Sequence, residues 1–126
     1  MKPKYSIIVP LYNKAPYVKK ALESIVSQTF TDWECIIVDD GSTDNSAGIC
    51  EGIIHPFIHS AVHPIRLIKQ ANSGVAAARN NGVAISNGEY VCFLDADDWW
   101  EPTFLEEMDK LTKEYPDAGL YATNYV

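Results

Sequence analysis

Two short clusters of aspartates carry the clearest chemical potential in this sequence. Asp39 and Asp40 form the first cluster, and Asp95, Asp97 and Asp98 form the second. Two unit charges about 4 Å apart repel by roughly 4 kcal/mol at an effective dielectric near 20, so cations are expected near these carboxylates. Carboxylate oxygens suit hard divalent ions, and the Asp-Ala-Asp spacing brings two of them together where a chain turns. The second cluster therefore predicts a Mg²⁺ or Mn²⁺ site with Asp95 and Asp97 as candidate ligands.

A metal ion held in this way favours a ligand that carries phosphates. Because one or two carboxylates leave coordination positions open, phosphate oxygens usually fill them. Arg79 supplies a further cation, and the helix that Ser73 and Gly74 open offers free N–H groups at its amino end. These features together predict a nucleotide site. Each has an ordinary explanation when taken singly: a solvated turn for Asp-Xaa-Asp, and a surface position for Arg79.

The pattern of apolar residues predicts the elements that would position these groups. The predicted strands are 5–10, 33–39, 65–69, 89–94 and 119–126; the predicted helices are 18–26, a segment after 41–46 with Ser42, Thr43 or Asp44 as its cap, 74–86, and 102–114. Strict alternation of strand and helix is typical of a three-layer α/β/α sandwich with a mainly parallel, Rossmann-like sheet and right-handed crossovers. Because no closing helix follows the last predicted strand, we expect the 126 residues to be one part of a longer domain.

The sheet explains why the polar residues should meet. Ligands of parallel sheets bind at the carboxyl ends of the strands. The segments that follow the first four predicted strands are 10–13, 39–42, 70–74 and 95–98, and they hold both acidic clusters. We therefore expect all four segments to lie along one edge of the sheet.

Composition narrows the classes of function. The chain has 126 residues, a formal net charge of −7 and 47% hydrophobic residues, which predicts one domain with a proper core. Such an acidic chain without a basic patch disfavours a nucleic-acid partner. No apolar run approaches the roughly 18 residues of a membrane span, and the first residues lack the apolar stretch of a signal peptide, so a cytoplasmic setting is expected.

The cysteines, histidines and tryptophans are given structural interpretations. Cys35, Cys50 and Cys92 lack CxxC spacing and are expected to be buried thiols. The histidines 55, 59 and 63 recur every four residues, but prolines interrupt the segment and no carboxylate stands at ligand spacing, so we expect no metal site there. Of the adjacent tryptophans 99 and 100, one is expected in the core.

Six segments resemble the glycosyltransferases of family 2, which have the GT-A fold. The segments are SIIVPLYN (6–13), SQTF (27–30), WECIIVDDGSTD (33–44), NSGVAAARNNG (72–82), GEY (88–90) and FLDADD (93–98). The resemblance implies that the chain is the nucleotide-diphospho-sugar-binding part, residues 1–126, of a domain that transfers a sugar to an acceptor hydroxyl. It implies a metal-dependent, inverting reaction with a UDP-sugar as the favoured donor, in the synthesis of cell-surface polysaccharide or glycolipid. The acceptor would be a saccharide or a lipid-linked molecule, and the full-length protein would associate peripherally with the inner face of the membrane.

The resemblance also assigns roles to individual residues. Pro10, Tyr12 and Asp40 correspond to contacts with the nucleoside base, and Asp39 to a neighbour that shapes that pocket. Asp97 corresponds to the direct metal ligand. The remaining residues of the implied donor site are Asn13, Asn72, Gly74, Arg79 at the diphosphate, Asp95 at the ribose and diphosphate, and Ala96. The general base is expected beyond residue 126, because the carboxylates of the last predicted helix, including Asp109, are expected to be solvated.

Three alternatives accompany this interpretation. A receiver-type signalling domain would resemble it in length and metal use, but that fold has an acidic pair after strand one, where this chain has Tyr12 and Asn13. A metal-dependent nucleotidyltransferase would present a Gly-rich loop there, and 10–14 contains no glycine. A binding-only module that kept the pocket and lost transfer stays open, and turnover by the full-length protein would distinguish it.

Overall fold

The computed structural model describes residues 2–119, which form an α/β domain. Its elements are β1 (Tyr5–Leu11), α1 (Val18–Val26), β2 (Trp33–Asp39), α2 (Ser46–Ile54), a short 3₁₀ turn (His55–Phe57), β3 (Ile65–Lys69), α3 (Val75–Ala84), β4 (Tyr90–Phe93) and α4 (Phe104–Glu114). The predicted strand-helix alternation is therefore confirmed over these residues. The predicted last strand falls almost entirely on 120–126, which lie outside the described residues.

The four strands form one parallel sheet in the order β3-β2-β1-β4. In the register, Leu11 pairs with Asp39, so β1 and β2 end side by side. Beyond the strand ends the ladder continues for one more hydrogen bond on each side: the Asp40 N–H donates to the Leu11 carbonyl at 2.8 Å, and the Leu94 N–H donates to the Ile8 carbonyl at 3.0 Å. The segments that follow the strands consequently start from one edge, here called the carboxyl edge.

Helices cover both faces of the sheet and make three layers. β1 and β2 are buried along their whole length, as expected for central parallel strands. Alternate residues such as Ile7 and Ile37 pack with α1, α2 and α4 in the larger core, while Ile8, Ile36 and Val38 pack with α3. The predicted sandwich is therefore confirmed.

Helix α3 lies unusually close to the sheet, and Gly82 makes this possible. A Cβ atom at Gly82 would come within 2.6 Å of Ile8 Cγ2 and 3.3 Å of Val38 Cγ2. Both neighbours belong to the small apolar cluster under α3, so a side chain at position 82 would push the helix away from β1. This close approach fixes where the amino end of α3 stands above the carboxyl edge.

The ends of two helices differ from the prediction for local reasons. Helix α3 ends at Ala84 because Ile85 and Ser86 donate to carbonyls three residues back, which closes the last turn more tightly. Helix α4 begins at Phe104, beyond Pro102. Its Leu105 N–H donates to Oε1 of the buried Gln28 at 2.9 Å, a cap supplied from 77 residues away.

One carboxylate of α4 contradicts the expectation that all are solvated. Asp109 is 8% exposed and pairs with Lys4 and with Lys113. Burial raises the pKa of Asp109, but hydrogen bonds from both lysines outweigh burial and leave that pKa below its usual value. Lys4 precedes β1, so this carboxylate ties α4 to the start of the sheet, a contact that the helix sequence alone does not reveal.

Candidate functional site

A cleft of about 570 Å³ opens at the carboxyl edge between the segments after β1, β2 and β4 and the first turns of α3. Its lining residues are Pro10, Leu11, Tyr12, Lys14, Asp40, Asn72, Gly74, Val75, Ala78, Arg79, Asp95, Ala96 and Asp97. The structure thus brings together the predicted site residues, with the exceptions of Asn13 and Asp39. Leu11, Lys14, Val75 and Ala78 join them without having been predicted.

Asp40 borders the cleft and is held by hydrogen bonds from the chain itself. Its Oδ1 accepts hydrogen bonds from Gln70 Nε2 at 2.8 Å and the Ser73 N–H at 2.7 Å, and its Oδ2 accepts one from the Gly74 N–H at 2.9 Å. These bonds lower the pKa of Asp40 below its ordinary value of 3.8, and the bond from Gln70 has the largest effect. Because a carboxylate offers about four acceptor positions, Asp40 keeps capacity for a ligand donor. Asp40 therefore anchors the loop before α3 and still borders the cleft.

Asp39 supports this region without lining the cleft. It is 4% exposed, and its Oδ1 accepts a hydrogen bond from the Ser42 N–H at 3.1 Å, which stabilises the turn after β2. Gly41 in that turn has a φ of +74°, and a Cβ there would meet the Asn72 backbone nitrogen at 2.9 Å. The turn after β2 and the loop before α3 therefore touch through glycine. Asp39 shapes the wall by holding this turn.

Asn13 also stays outside the cleft and joins two loops. Its φ of 50° is in the left-handed region that asparagine tolerates better than most residues. Its N–H donates to Ser42 Oγ at 3.0 Å, and its Oδ1 accepts hydrogen bonds from the N–H groups of Thr43 and Asp44 at 2.8 and 3.2 Å. These bonds fasten the loop after β1 to the loop after β2.

The residues predicted as helix caps serve the same junction. Helix α2 starts after Asn45, which makes no side-chain cap, while Asp44 Oδ1 accepts the Ser46 N–H at 2.9 Å. The other Asp44 oxygen accepts the Ala15 N–H at 3.2 Å, and Ser46 Oγ accepts the Lys14 N–H at 2.9 Å. We call this network, residues 13–15 with 42–46, the loop clasp. It fixes the backbone from which Tyr12 and Lys14 project.

Two of the three aspartates of the second cluster, Asp95 and Asp97, each face one cation. Arg79 Nη2 lies 3.1 Å from Asp95 Oδ1, and Lys14 Nζ lies 3.5 Å from Asp97 Oδ2. The four side chains are between 40% and 52% exposed, so water screens both pairs. Arg79 Nε is buried and has no hydrogen-bond partner among the described residues. The cleft therefore holds charges of both signs in contacts that a ligand can replace.

The carboxylates of Asp95 and Asp97 fit a divalent cation of the Mg²⁺ or Mn²⁺ type, provided that other ligands complete its coordination. Within residues 2–119 no three histidine, cysteine, aspartate or glutamate side chains are grouped closely enough to hold a metal ion. Asp95 and Asp97 are about half exposed and offer free carboxylate oxygens at the cleft. Two carboxylates suit an ion whose remaining positions are taken by water and substrate phosphates.

The neighbouring residues complete the wall differently. Asp98 lies outside the cleft lining, and its Oδ1 accepts the N–H of Trp99 at 3.0 Å. Trp100 is 2% exposed and stacks on Phe104 with ring centroids 4.5 Å apart, as expected for a core residue. Trp99 is 38% exposed beneath Lys20 Nζ, which lies 4.6 Å from its ring centroid.

The histidines and cysteines lie apart from this cleft. His63 stacks on the buried Trp33 with ring centroids 4.7 Å apart, a structural contact. Cys35 and Cys50 are buried, Cys92 is partly buried, and all three are free thiols. Burial raises the pKa of Cys50 and of Cys92 to about 12. Cys35 and Cys50 are the buried thiols that the sequence predicts, whereas Cys92 is more exposed than expected.

Lys14 and Gln70 are not among the site residues predicted from the sequence, although Gln70 belongs to the segment 70–74 expected at the carboxyl edge. Gln70 directly follows β3, and Lys14 lies in the loop after β1. That position alone would have marked them as candidates. Their partners could not be inferred, because Asp97 and Asp40 come from other strands and the pairing depends on strand order.

Comparison with known proteins gives one family. The model of the family described as Glycosyl transferase family 2 matches residues 6–126. Glycosyltransferase GlyA of Streptococcus pneumoniae serotype 4 is 41% identical over 122 residues, which make up 97% of this chain and 17% of GlyA.

Two solved structures are similar in fold as well as in sequence. S. aureus TarS 1-349 in complex with UDP-GlcNAc superposes with a TM-score of 0.80 at 30% identity, over 90% of this chain and 32% of the TarS 1-349 chain. Mannosyltransferase PcManGT from Pyrobaculum calidifontis, in complex with GDP-Man and Mn²⁺, gives 0.79 at 28% identity, over 89% and 33%. The chain thus spans a third or less of the length of these proteins. Among residues 2–119 no helix is long and apolar enough to cross a membrane.

Proposed function

The chain belongs to glycosyl transferase family 2, and from that premise we propose that its cleft binds the nucleoside diphosphate of an activated sugar donor. The sugar is then transferred to a hydroxyl group of an acceptor. The observation that carries the proposal is the pairing of Asp95 with Arg79 and of Asp97 with Lys14 in one cleft. A diphosphate and a divalent cation together can satisfy all four of these side chains.

The nucleoside end of the donor is proposed to lie against the walls formed by the first two strands. Tyr12 is 44% exposed at the cleft and can stack on a base, while Pro10 gives an apolar surface beside it. Asp40 Oδ2 can accept a hydrogen bond from a ring N–H of the base. Asn72 and Gly74 border the same part of the cleft.

The diphosphate is proposed to lie between α3 and the second acidic cluster. Arg79 can form charge-assisted hydrogen bonds to phosphate oxygens. Asp97, with Asp95, would hold Mn²⁺ or Mg²⁺, which supplies Lewis-acid stabilisation of the negative charge on the departing nucleoside diphosphate. The complexes of TarS with UDP-GlcNAc and of PcManGT with GDP-Man and Mn²⁺ support this arrangement.

The reaction is proposed to invert the configuration at the sugar, because direct attack by an acceptor hydroxyl is a single displacement. It requires a general base within hydrogen-bond reach of that hydroxyl. We further propose a saccharide or lipid-linked acceptor, at the cytoplasmic face of a membrane, in the synthesis of cell-surface polysaccharide or glycolipid, as the resemblance of the sequence to family 2 implies.

Calorimetric titration with UDP, GDP and CDP, each with and without Mn²⁺, tests the proposal. We expect one nucleotide, UDP by preference, to bind measurably only when Mn²⁺ is present. Uridine with Mn²⁺ is the control for binding that does not involve phosphate, and it should bind at least about tenfold more weakly, a difference of 1.4 kcal/mol. If a chain shown by circular dichroism to be folded binds none of the three, the proposal is wrong.

A further inference from the structure

We propose that Lys14 binds the donor diphosphate. When a divalent cation binds the Asp97 carboxylate, the Lys14 ammonium leaves that carboxylate and contacts a phosphate oxygen instead. The inference rests on the proposed donor site and adds a residue to it. Lys14 Nζ lies 3.5 Å from Asp97 Oδ2 across the cleft, and both residues line it. The ammonium and a metal ion therefore draw on the same carboxylate.

The backbone of Lys14 is held in place while its side chain keeps its freedom. Its N–H donates to Ser46 Oγ at 2.9 Å, and its neighbours Asn13 and Ala15 are bonded within the loop clasp. The side chain is 40% exposed, and four carbon–carbon bonds of a lysine can rotate. The ammonium can therefore move within the cleft without any change in the loops.

The contact with Asp97 is one that a better ligand can replace. At 3.5 Å the two charged atoms are farther apart than in a short charge-assisted hydrogen bond, and both side chains are close to half exposed. Exposed pairs of this kind contribute little because water screens them and holding two long side chains costs entropy. The diphosphate of a nucleotide sugar carries one negative charge on each of its phosphates, more in total than the single charge of Asp97, and it would be partly shielded from water in the cleft.

The second cation of the cleft supports the choice of ligand. Arg79 projects from α3 and Lys14 from the loop after β1, and each faces one aspartate of the same Asp-Ala-Asp segment. A metal ion on these two aspartates would leave two cations beside it. A diphosphate has the charge and the number of oxygens to contact both cations and the metal ion together, whereas a carboxylate has only two oxygens and one charge.

A purely structural Lys14 would behave differently in a measurement. If Lys14 only held Asp97 in position, its loss would weaken binding of Mn²⁺ itself. If Lys14 binds the diphosphate, its loss should leave binding of Mn²⁺ alone unchanged or make it up to about threefold tighter, because a competitor of the metal is removed.

The experiment compares the wild-type chain with Lys14→Gln, Lys14→Arg and the control Lys19→Gln, which removes the same charge from an exposed position of α1. Each is titrated with Mn²⁺ alone, with UDP plus Mn²⁺, and with uridine. We expect Lys14→Gln to bind UDP plus Mn²⁺ about 5- to 30-fold more weakly, Lys14→Arg to recover most of the loss, and Lys19→Gln to match the wild type. Uridine binding should be the same in all four.

The outcomes separate this inference from the proposed function. If the wild-type chain binds no nucleotide, the donor site and the role of Lys14 are both wrong. If the wild type binds UDP plus Mn²⁺ and Lys14→Gln binds it equally well, only the role of Lys14 is wrong. A Lys14→Gln variant that loses affinity for Mn²⁺ alone to the same extent as for UDP plus Mn²⁺ also overturns it. Thermal unfolding followed by circular dichroism checks that each variant is folded.

Discussion

The two ends of the sheet use carboxylates in opposite ways. At the amino end, Glu34 is 5% exposed and its side chain is enclosed by the chain's own donors. Its Oε2 accepts hydrogen bonds from Ser6 Oγ and the Asn87 N–H, and Arg66 lies 3.7 Å from Oε1. At the carboxyl end, Asp95 and Asp97 are half exposed and each faces a single cation.

The difference separates carboxylates that build the fold from those available to a ligand. Glu34 joins β2 to β1 and to the segment before β4, where its removal would leave buried donors without partners. Asp95 and Asp97 keep unused acceptor positions and can exchange the contacts they have. Asp40 is intermediate, because it is buried and anchors the loop before α3 but still borders the cleft. The number of hydrogen-bond partners that a carboxylate has, its burial and its position in the sheet therefore indicate its role better than its negative charge alone.

The largest effect is expected at the amino end. Glu34→Ala should lower the free energy of unfolding by about 3 kcal/mol, because the hydroxyl of Ser6 and the N–H of Asn87 would lose their buried acceptor. Urea unfolding measures this value. The matched control is Glu51→Ala, since Glu51 also pairs with a basic side chain, that of Lys69 at 2.8 Å, but both side chains are more than half exposed.

The control should lose less than about 1 kcal/mol. A Glu34→Ala variant as stable as Glu51→Ala would mean that the amino-end network does not stabilise the fold. The nucleotide affinity of folded Glu34→Ala is expected to equal that of the wild type, because Glu34 lies at the opposite end of β2 from the cleft.

Much of this fold could be predicted because its central strands are buried on both faces. The run at 33–39 gives the central strand β2 with the same bounds as the structure, and the run at 65–69 does so for β3, which lies at an edge of the described sheet and is buried only at Ile65. The ends of α3 and α4 could not be predicted in the same way. Gln28 caps α4 from 77 residues away, and the end of α3 is set by backbone bonds in its last turn.

The residues of the candidate site could also be predicted only in part from the sequence. Asp40, Arg79, Asp95 and Asp97 could be placed at one edge because the aspartates follow parallel strands and Arg79 belongs to the helix that begins there. Lys14 could not be paired with Asp97, nor Gln70 with Asp40, because each pairing joins loops from different parts of the sheet. Asn13 was predicted at the donor, but the left-handed backbone and the loop clasp give its side chain other partners. Whether Asn13 also touches the donor stays a prediction.

A smaller effect on stability but a large one on binding is expected at the carboxyl end. Asp97→Ala should reduce Mn²⁺-dependent UDP affinity about 10- to 100-fold, equivalent to 1.4–2.7 kcal/mol. Stability should change little, because the loss of one clustered acid relieves repulsion among the acids. The structure gives a second reason: the pair lost with Lys14 is exposed and contributes less than about 1 kcal/mol.

Asp98→Ala is the matched control for this change. It removes the same charge from the next residue along the chain, whose side chain does not line the cleft. We expect less than about a threefold loss of UDP affinity, which corresponds to less than 0.7 kcal/mol. Calorimetry of the two variants with UDP and Mn²⁺ makes the comparison. Equal affinities for Asp97→Ala and the wild type would contradict the metal assignment, whatever the result for Asp98.

The smallest effect is expected at Asp40, where the two uses of a carboxylate meet. Its folded-state pKa lies below 3.8, chiefly through the hydrogen bond from Gln70, so the stabilisation is complete above about pH 4 and is lost as the pH falls through the folded-state value. Asp40→Asn removes this contribution at every pH. The difference in free energy of unfolding between wild type and Asp40→Asn should therefore be constant at neutral pH and shrink below pH 3.8.

Gln70→Ala sharpens the same measurement, because it removes the largest cause of the lowered pKa and leaves the Ser73 and Gly74 N–H groups in place. In urea unfolding from pH 3 to pH 7, Gln70→Ala should lose free energy of unfolding at acidic pH to an extent between that of the wild type and that of Asp40→Asn. If the difference between wild type and Asp40→Asn is the same at both ends of that range, the hydrogen bonds to Asp40 do not stabilise its charged form. Asp40 would then belong with Asp95 and Asp97 as a ligand group and not with Glu34 as part of the framework.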